Sequence, residues 1–315
     1  MEKIFQKLSF SSASLVLIVL IGIFITLFSA AKPAVDEFGL HFLVDPTWNK
    51  EVVIDTPNNN ATTQVSNEIA DEDEMMFADE DDESLNTKTV YGGLVPIVGT
   101  ILSTLIALAF ALPIAMGIAV FLAEIASKTI SKFVGIAIEL LAAIPSIIFG
   151  MWGLYYFAPI ISETFGGYQV SLLTAGLVLG IMILPFMAAI TRDSMNATPD
   201  VLKESAYALG ATKFEVVKDI IFPYSKVGII GSIILSLGRA LGETMAVAFL
   251  IGAVYSLPER ITDPTISIPV AMAVNFGEAS GLGESALFYL GLILFVMSFV
   301  IISIAKFYFL KRVKL

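Results

Sequence analysis

A single arginine stands inside one of the longest apolar stretches of this 315-residue sequence, with a glutamate four residues later. The stretch runs from Val227 to Val254 and contains Arg239 and Glu243. At 1.5 Å per helical residue, Arg239 lies about 18 Å from the start of the stretch, near the middle of a bilayer. The neighbours of the two charges are small or hydroxylated: Gly238, Gly242 and Thr244.

The free-energy cost of placing these charges in a membrane indicates that they have a function. An arginine at mid-depth costs about 2.5 to 3.5 kcal/mol, whereas an ion pair one turn apart on a helix contributes only about 0.2 to 0.5 kcal/mol. We therefore expect Arg239 and Glu243 to face the protein interior or a wet cavity, where a planar guanidinium can bind an oxyanion. A purely structural buried ion pair is the alternative interpretation.

The elements that must position this pair are membrane helices. Hydrophobic residues make up 57% of the sequence and charged residues 15%, with a mean hydropathy of +0.85, values far outside the range of soluble domains. The sequence predicts an all-α membrane protein with six transmembrane helices. The predicted spans are Phe10 to Ala31, Leu94 to Leu122, Val134 to Tyr156, Leu172 to Ile190, Val227 to Val254 and Ala286 to Tyr308.

The positions of lysine and arginine set the predicted orientation, because cytoplasmic loops retain positive charge. With both termini in the cytoplasm, thirteen basic residues lie inside and four outside. Lys3 and Lys7 before an apolar run could mark a signal peptide, but the run is long, so we expect an uncleaved helix. The predicted units are a first transmembrane helix (1–31), an external loop (32–92), a five-helix core (93–308) and a basic cytoplasmic tail (309–315).

The external loop holds most of the negative charge. Residues 32–92 contain fifteen acidic and three basic residues, so the net charge of −11 describes this loop and not the core. From about Asp55 to Thr89 the composition predicts a disordered acidic insert. Calcium binding is the alternative, but no glycine stands at the turn position of an EF-hand, so we predict no metal site. The only histidine, His41, is predicted to be a surface or packing residue.

A polar stretch from Thr198 to Pro223 lies between two apolar ones, and we call it the elbow. Thr198 is suited to cap a first helix, which Gly210 would end. Thr212 and Glu215 have the spacing of a capping box that starts a second helix, and Pro223 is expected to end it. The pattern therefore predicts a helix, a glycine corner and a second helix on the cytoplasmic side.

The elbow resembles the EAA loop of ABC importer permeases, in the spacing E-A-A-x3-G-x9-I-x-L-P. Ser205 and Phe222 depart conservatively from the alanine and leucine of that pattern. In that family the loop docks into a groove of a cytoplasmic ATPase. The resemblance assigns ATPase coupling to Glu204, Ser205, Ala206, Gly210, Ala211 and Thr212.

Further stretches resemble the phosphate-specific branch of that family, and in particular its C-type permease subunit. They are FGLHFL with Trp48, GLVPIVGTILSTLIALAFALPIAMGIAVFLAE, ELLAAIPSIIFGMWGL, ESAYALGATKFE and GRALGETMAV. The sister A-type subunit and a permease for another oxyanion remain alternatives. The insert from Asp55 to Thr89 departs from the family, because it is longer and more acidic than this loop usually is.

The resemblance implies a set of partners in the inner membrane of a prokaryote. These are a second permease subunit forming a heterodimer, two copies of an ABC ATPase, an extracytoplasmic phosphate-binding protein, phosphate and membrane lipid, with no nucleic acid. No G-x-x-x-x-G-K-[ST] loop occurs, so ATP and Mg would be bound by the ATPase and the chain itself would hold no cofactor and not be an enzyme. A different class, a proton-coupled secondary anion carrier using Arg239 and Glu243, stays open.

Overall fold

The structure, a computed structural model, describes residues 2–53 and 87–311, and these residues are mostly helical. Wider turns of π geometry, Phe121–Ile125, Gly153–Phe157 and Val216–Ile221, follow α2, α4 and α8. The α-helices of the described chain are α1 (Glu2–Phe38), α2 (Leu94–Val120), α3 (Lys128–Ala142), α4 (Ser146–Trp152), α5 (Ala158–Phe165), α6 (Leu172–Asn196), α7 (Asp200–Ala208), α8 (Lys213–Glu215), α9 (Phe222–Leu241), α10 (Met245–Leu250), α11 (Ile268–Asn275) and α12 (Leu282–Lys311).

Five helical segments of the described chain are long and apolar enough to cross a membrane. They are Ile4–Leu43, Leu94–Ile125, Leu172–Asn196, Lys213–Leu241 and Leu282–Phe307. A sixth span results if the bent pair Lys128–Ala142 and Ser146–Phe165 is counted as one. The predicted class, a helical multi-span membrane protein, is confirmed, while the orientation with both termini inside stays a prediction.

The third predicted span, Val134 to Tyr156, is broken by a sharp bend at a proline that interrupts the helix. The chain bends by 90° between α3 and α4. Pro145 lies at the break, with φ −58° and ψ 137° immediately before α4. Proline has no N–H to donate and disfavours helical geometry in the residue before it, so the helix ends and restarts there.

The predicted boundary between the elbow and the fifth span is also wrong. Pro223 does not end a helix, because α8, the π turn and α9 form one helical segment from Lys213 to Leu241. The π turn Val216–Ile221 ends two residues before Pro223, and its wider hydrogen-bonded ring accommodates a residue that has no N–H to donate to the preceding turn. The same span ends earlier than expected, because α9 stops at Leu241 and α10 begins at Met245.

The centre of the molecule is α6. In the most apolar 18-residue stretch of α6, 67% of the residues are buried, whereas 0% are buried in the corresponding stretch of α1. Helix α2 packs along it, with Ile106 against Gly176 and Phe110 against Gly180, where a Cβ would lie within 3.0 Å of a neighbouring side chain. These glycines permit the two backbones to approach closely. Helix α1 packs on α12 at the periphery.

The end of the molecule opposite the elbow carries a short antiparallel hairpin, β1 (Lys50–Val53) paired with β2 (Thr87–Val90), and we call this the hairpin end. Of the predicted insert 55–89, residues 55–86 lie outside the described residues and 87–89 belong to β2. The His41 side chain is 78% exposed, as predicted for a surface residue, but it has a neighbour that the sequence reading missed, since Asp45 Oδ2 lies 3.6 Å from its Nδ1.

A loop without regular structure connects α10 to α11 and folds back onto the helix ends. Its carbonyls at Ile261 and Asp263 accept hydrogen bonds from the first N–H groups of α6 at 2.7 and 3.0 Å. The first N–H of α11, at Ile268, donates to the Thr100 hydroxyl of α2 at 2.8 Å. Backbone groups at these helix starts are thus paired inside the protein, as a low-dielectric setting requires.

Candidate functional site

Arg239 lies in the last turn of α9, and its side chain is exposed on the surface of this chain. Leu235, one turn earlier, is 55% exposed and Gly242 is also exposed, so this face of α9 is open. A Cβ added at Gly231 would meet nothing within 4 Å, and one at Gly242 would meet only the Gly238 carbonyl at 3.8 Å. The described chain therefore leaves room beside the guanidinium.

Glu243 does not pair with Arg239. Among the ion pairs of the described residues, none includes Arg239 at the 4.0 Å limit. Instead the Glu243 Oε1 accepts a hydrogen bond from the Ala246 N–H at 3.3 Å, in the first turn of α10. The helix breaks at Gly242, so positions 239 and 243 no longer share one helical face, and the alternative interpretation, a structural ion pair between them, is wrong.

The other residues predicted for this site lie around the break. The Gly238 position faces α12, where an added Cβ would lie 3.4 Å from Ile302 Cδ1, an ordinary contact distance. Thr244 is half-buried, and its hydroxyl lies 3.4 Å from the Gly242 carbonyl. Ser236, one turn before Ala240, is fully buried, and no partner for its hydroxyl is found in the described part of the chain.

An exposed guanidinium on an apolar helix has one physical consequence. Hydrocarbon is a poor environment for the charge, so Arg239 must meet water, a solute or another protein surface. Because Glu243 is occupied as a cap of α10, the five N–H donors of the guanidinium are not used by that carboxylate. The arrangement can hold an anion at the end of α9.

The glycine corner of the elbow forms as predicted. Gly210 has φ +89°, in the left-handed region, and follows α7. Its N–H donates to the Tyr207 carbonyl at 2.9 Å, and the Ala211 N–H donates to the Ala206 carbonyl at 3.1 Å. These two bonds define a Schellman motif, which satisfies carbonyls at the end of the helix.

The predicted capping box is also confirmed, but the predicted N-cap is not. The Glu215 Oε2 accepts from the Thr212 N–H at 2.7 Å, and the Thr212 Oγ1 accepts from the Glu215 N–H at 3.4 Å. Thr198 caps nothing: it is 2% exposed, and its hydroxyl has no partner among the described residues. Because Thr198 turns inward and Pro199 is extended, α7 begins at Asp200.

The two sides of the elbow differ sharply. Ala206 and Ala211 pack against a buried apolar cluster, which we call the elbow cluster: Ala119, Met195, Val216, Ile221 and Ile229. Glu204 and Ser205 are exposed. Large apolar side chains are exposed as well, among them Val201 at 70%, Leu209 at 90% and Phe214 at 73%. Such a surface is typical of a segment that binds another protein.

Two charged contacts near the elbow were missed by sequence reasoning. The Lys203 Nζ lies 2.6 Å from Glu124 Oε1 in the π turn after α2, and the Arg192 Nη2 lies 3.1 Å from Glu139 Oε1 of α3. Lys203, Arg192 and Glu139 line a cleft of about 600 Å³. In each pair the two residues lie far apart in the sequence, so no local spacing predicts these contacts.

Comparison with known proteins identifies the family to which this architecture belongs. Residues 111–315 match the family model described as binding-protein-dependent transport system inner membrane component. The chain belongs to this family. Its members are membrane components of transport systems, and this chain is accordingly a multi-pass inner-membrane protein.

Known relatives indicate which branch of the family the chain resembles. The chain is 38% identical over 325 residues to the phosphate transport system permease protein PstC of Haemophilus influenzae, covering 97% of this chain and 92% of the relative. It is 37% identical to PstC of Mesorhizobium japonicum, covering 99% and 90%. It is 48% identical over 236 residues to PstC of Pasteurella multocida, covering 69% and 74%. The resemblance to C-type permeases of this family is confirmed.

Solved structures share the fold at low sequence identity. An inward-facing structure of the MetNI methionine ABC transporter superposes with a TM-score of 0.55 at 19% identity, covering 70% of this chain and 93% of that chain. A second crystal form of the same transporter gives a TM-score of 0.52. These matches establish the permease fold of this family member.

Proposed function

We propose that the chain is the transmembrane permease subunit of an ATP-driven importer of inorganic phosphate. The observation that carries the proposal is the unpaired Arg239 guanidinium on an open face of α9, in a chain whose near full-length relatives are phosphate transport permeases. Phosphate carries between one and two negative charges near neutral pH. Crossing a low-dielectric region therefore requires a compensating cation with several donors, which a guanidinium supplies.

The open face of α9 meets the second permease subunit, so that the solute path runs between the two chains. A single chain exposes Arg239, whereas a heterodimer encloses it in a wet path lined also by Gly238, Gly242 and Thr244. Glu243 acts mainly by capping α10 and fixing the break after α9, which keeps the guanidinium available. Its negative charge nearby limits how tightly the anion is held, because a conducted ion must also leave.

The elbow is the docking surface for a cytoplasmic ABC ATPase. Val201, Leu209 and Phe214 supply apolar contact area, and the exposed Glu204 and Ser205 lie beside them. Two ATPase copies, one for each permease, bind ATP and Mg, and their closure moves the elbows. A phosphate-binding protein delivers its solute at the hairpin end. A secondary carrier would have no need of this exposed apolar elbow.

Reconstitution tests the proposal. The permease with its sister subunit and ATPase is placed in vesicles, the binding protein and radiolabelled phosphate are added outside, and ATP is enclosed. Uptake is expected to require ATP and to persist when an ionophore collapses the proton gradient. Uptake that follows the proton gradient at constant ATP would instead assign the chain to the proton-coupled carriers. Replacement of phosphate by sulfate or molybdate tests whether another oxyanion is the substrate.

A further inference from the structure

The contact between the elbow and α2 includes a nearly buried ion pair. Lys203 of α7 and Glu124 of the π turn Phe121–Ile125 are 2.6 Å apart, with side chains 15% and 9% exposed. Exposed ion pairs contribute little to stability, but a shielded pair leaves an uncompensated charge when one partner is removed. The two residues are 79 positions apart in the sequence, so this is a tertiary contact.

The pair adds direction to a contact that is otherwise apolar. Ala206 and Ala211 of the elbow pack against the elbow cluster, to which α2 contributes Ala119. Apolar contacts tolerate sliding, because the hydrophobic effect is not directional. A short charge-assisted hydrogen bond fixes one register of α7 against the end of α2. Within the described residues, Lys203 is the only elbow residue in an ion pair.

Helix α2 extends from the elbow to the hairpin end. The turn that holds Glu124 is a π turn, a geometry common at functional sites. At the other end of α2, Gly99 packs against the Ile266 carbonyl and the Thr100 hydroxyl binds the start of α11. One continuous segment, Leu94–Ile125, thus joins the elbow to the loop that precedes α11.

We propose that the Lys203–Glu124 pair is the link through which movement of the elbow is transmitted to α2. The proposal rests on the proposed function, because it takes the elbow as the part that the ATPase moves. Both residues are positioning residues: they do not touch the solute or the nucleotide. Without the pair, α7 moves with the ATPase while α2 does not follow, and ATP is hydrolysed without transport.

The test is the number of phosphates transported per ATP hydrolysed in the reconstituted complex. Lys203→Met and Glu124→Gln are each expected to lower this ratio about ten-fold while ATPase binding is retained, because each leaves a shielded charge unpaired. The exchanged variant Lys203→Glu with Glu124→Lys should recover at least about half of the parental ratio, a coupling that single variants acting independently would not show. The matched control is Lys132→Met, because Lys132 of α3 is exposed, lies outside the elbow and forms no ion pair among the described residues, and its ratio should be parental.

The outcomes separate the two proposals. A parental complex without ATP-dependent phosphate uptake refutes the proposed function. A normal parent with single variants that keep the parental ratio, or an exchanged variant no better than they are, refutes the link alone. If the single variants fail to accumulate in the membrane, the exchanged variant decides: accumulation with normal coupling supports the link, and accumulation without coupling overturns it. Failure of all three to accumulate assigns the pair to folding and also overturns it.

Discussion

Substitution of Gly210 isolates the backbone geometry of the elbow. Its φ of +89° is a left-handed value, and a Cβ added there would meet nothing within 4 Å. The cost of Gly210→Ala is therefore conformational and not steric, about 1 to 2 kcal/mol for an L-residue in this region. If the ATPase binds only the formed corner, this cost appears in the binding constant. Since 1.4 kcal/mol is ten-fold, ATPase affinity should fall about 5- to 30-fold.

The series Gly210→Asn, Gly210→Ala and Gly210→Val ranks this cost. Asparagine tolerates left-handed geometry and should retain most of the affinity, while the β-branched valine should lose most. Titration of the purified permease complex with ATPase measures the affinity, and phosphate uptake in cells measures coupling. The matched control is Gly281→Ala, because Gly281 has φ +55° with nothing within 4 Å but precedes α12, away from the elbow. Parental affinity and uptake for Gly210→Val at normal expression would refute the reasoning.

Three further predictions concern the solute path and the insert. Arg239→Gln should abolish uptake with the ATPase still bound, and Arg239→Lys should retain partial activity because the charge survives without the planar fork; parental uptake by Arg239→Gln in vesicles would place the path elsewhere. Glu243→Gln should only slow uptake, because an amide oxygen can still accept from the Ala246 N–H. Glu243→Ala also loses this capping hydrogen bond, which is worth about 0.5 to 2 kcal/mol, and should lower the thermal stability of the purified complex. Equal stability of the two variants would contradict the capping role. Deletion of residues 58–84 should leave uptake within about three-fold of the parent, because the entropic cost of loop closure depends weakly on loop length and the flanking strands are already paired. Complete loss of uptake in correctly inserted protein would show that the acidic segment has a required partner.

The sequence by itself determined the features that depend on local interactions. The apolar runs predicted the membrane helices, because about 20 apolar residues are needed to cross the hydrocarbon. The corner at Gly210 and the capping box of Thr212 and Glu215 were predictable, since each involves groups within five residues of one another. The family relationship also follows from the sequence, because residues 111–315 match the family model.

Only the tertiary structure decided how the helices break and what the charges contact. Pro145 breaks a helix and Pro223 does not, because a π turn before Pro223 accommodates the missing N–H. Glu243 caps α10 because the chain leaves the helix at Gly242, a choice that residue spacing does not reveal. The pairing of Lys203 with Glu124 joins residues far apart in the chain, which only the tertiary fold brings together. Long-range contacts of this kind depend on the whole fold, so no local pattern encodes them.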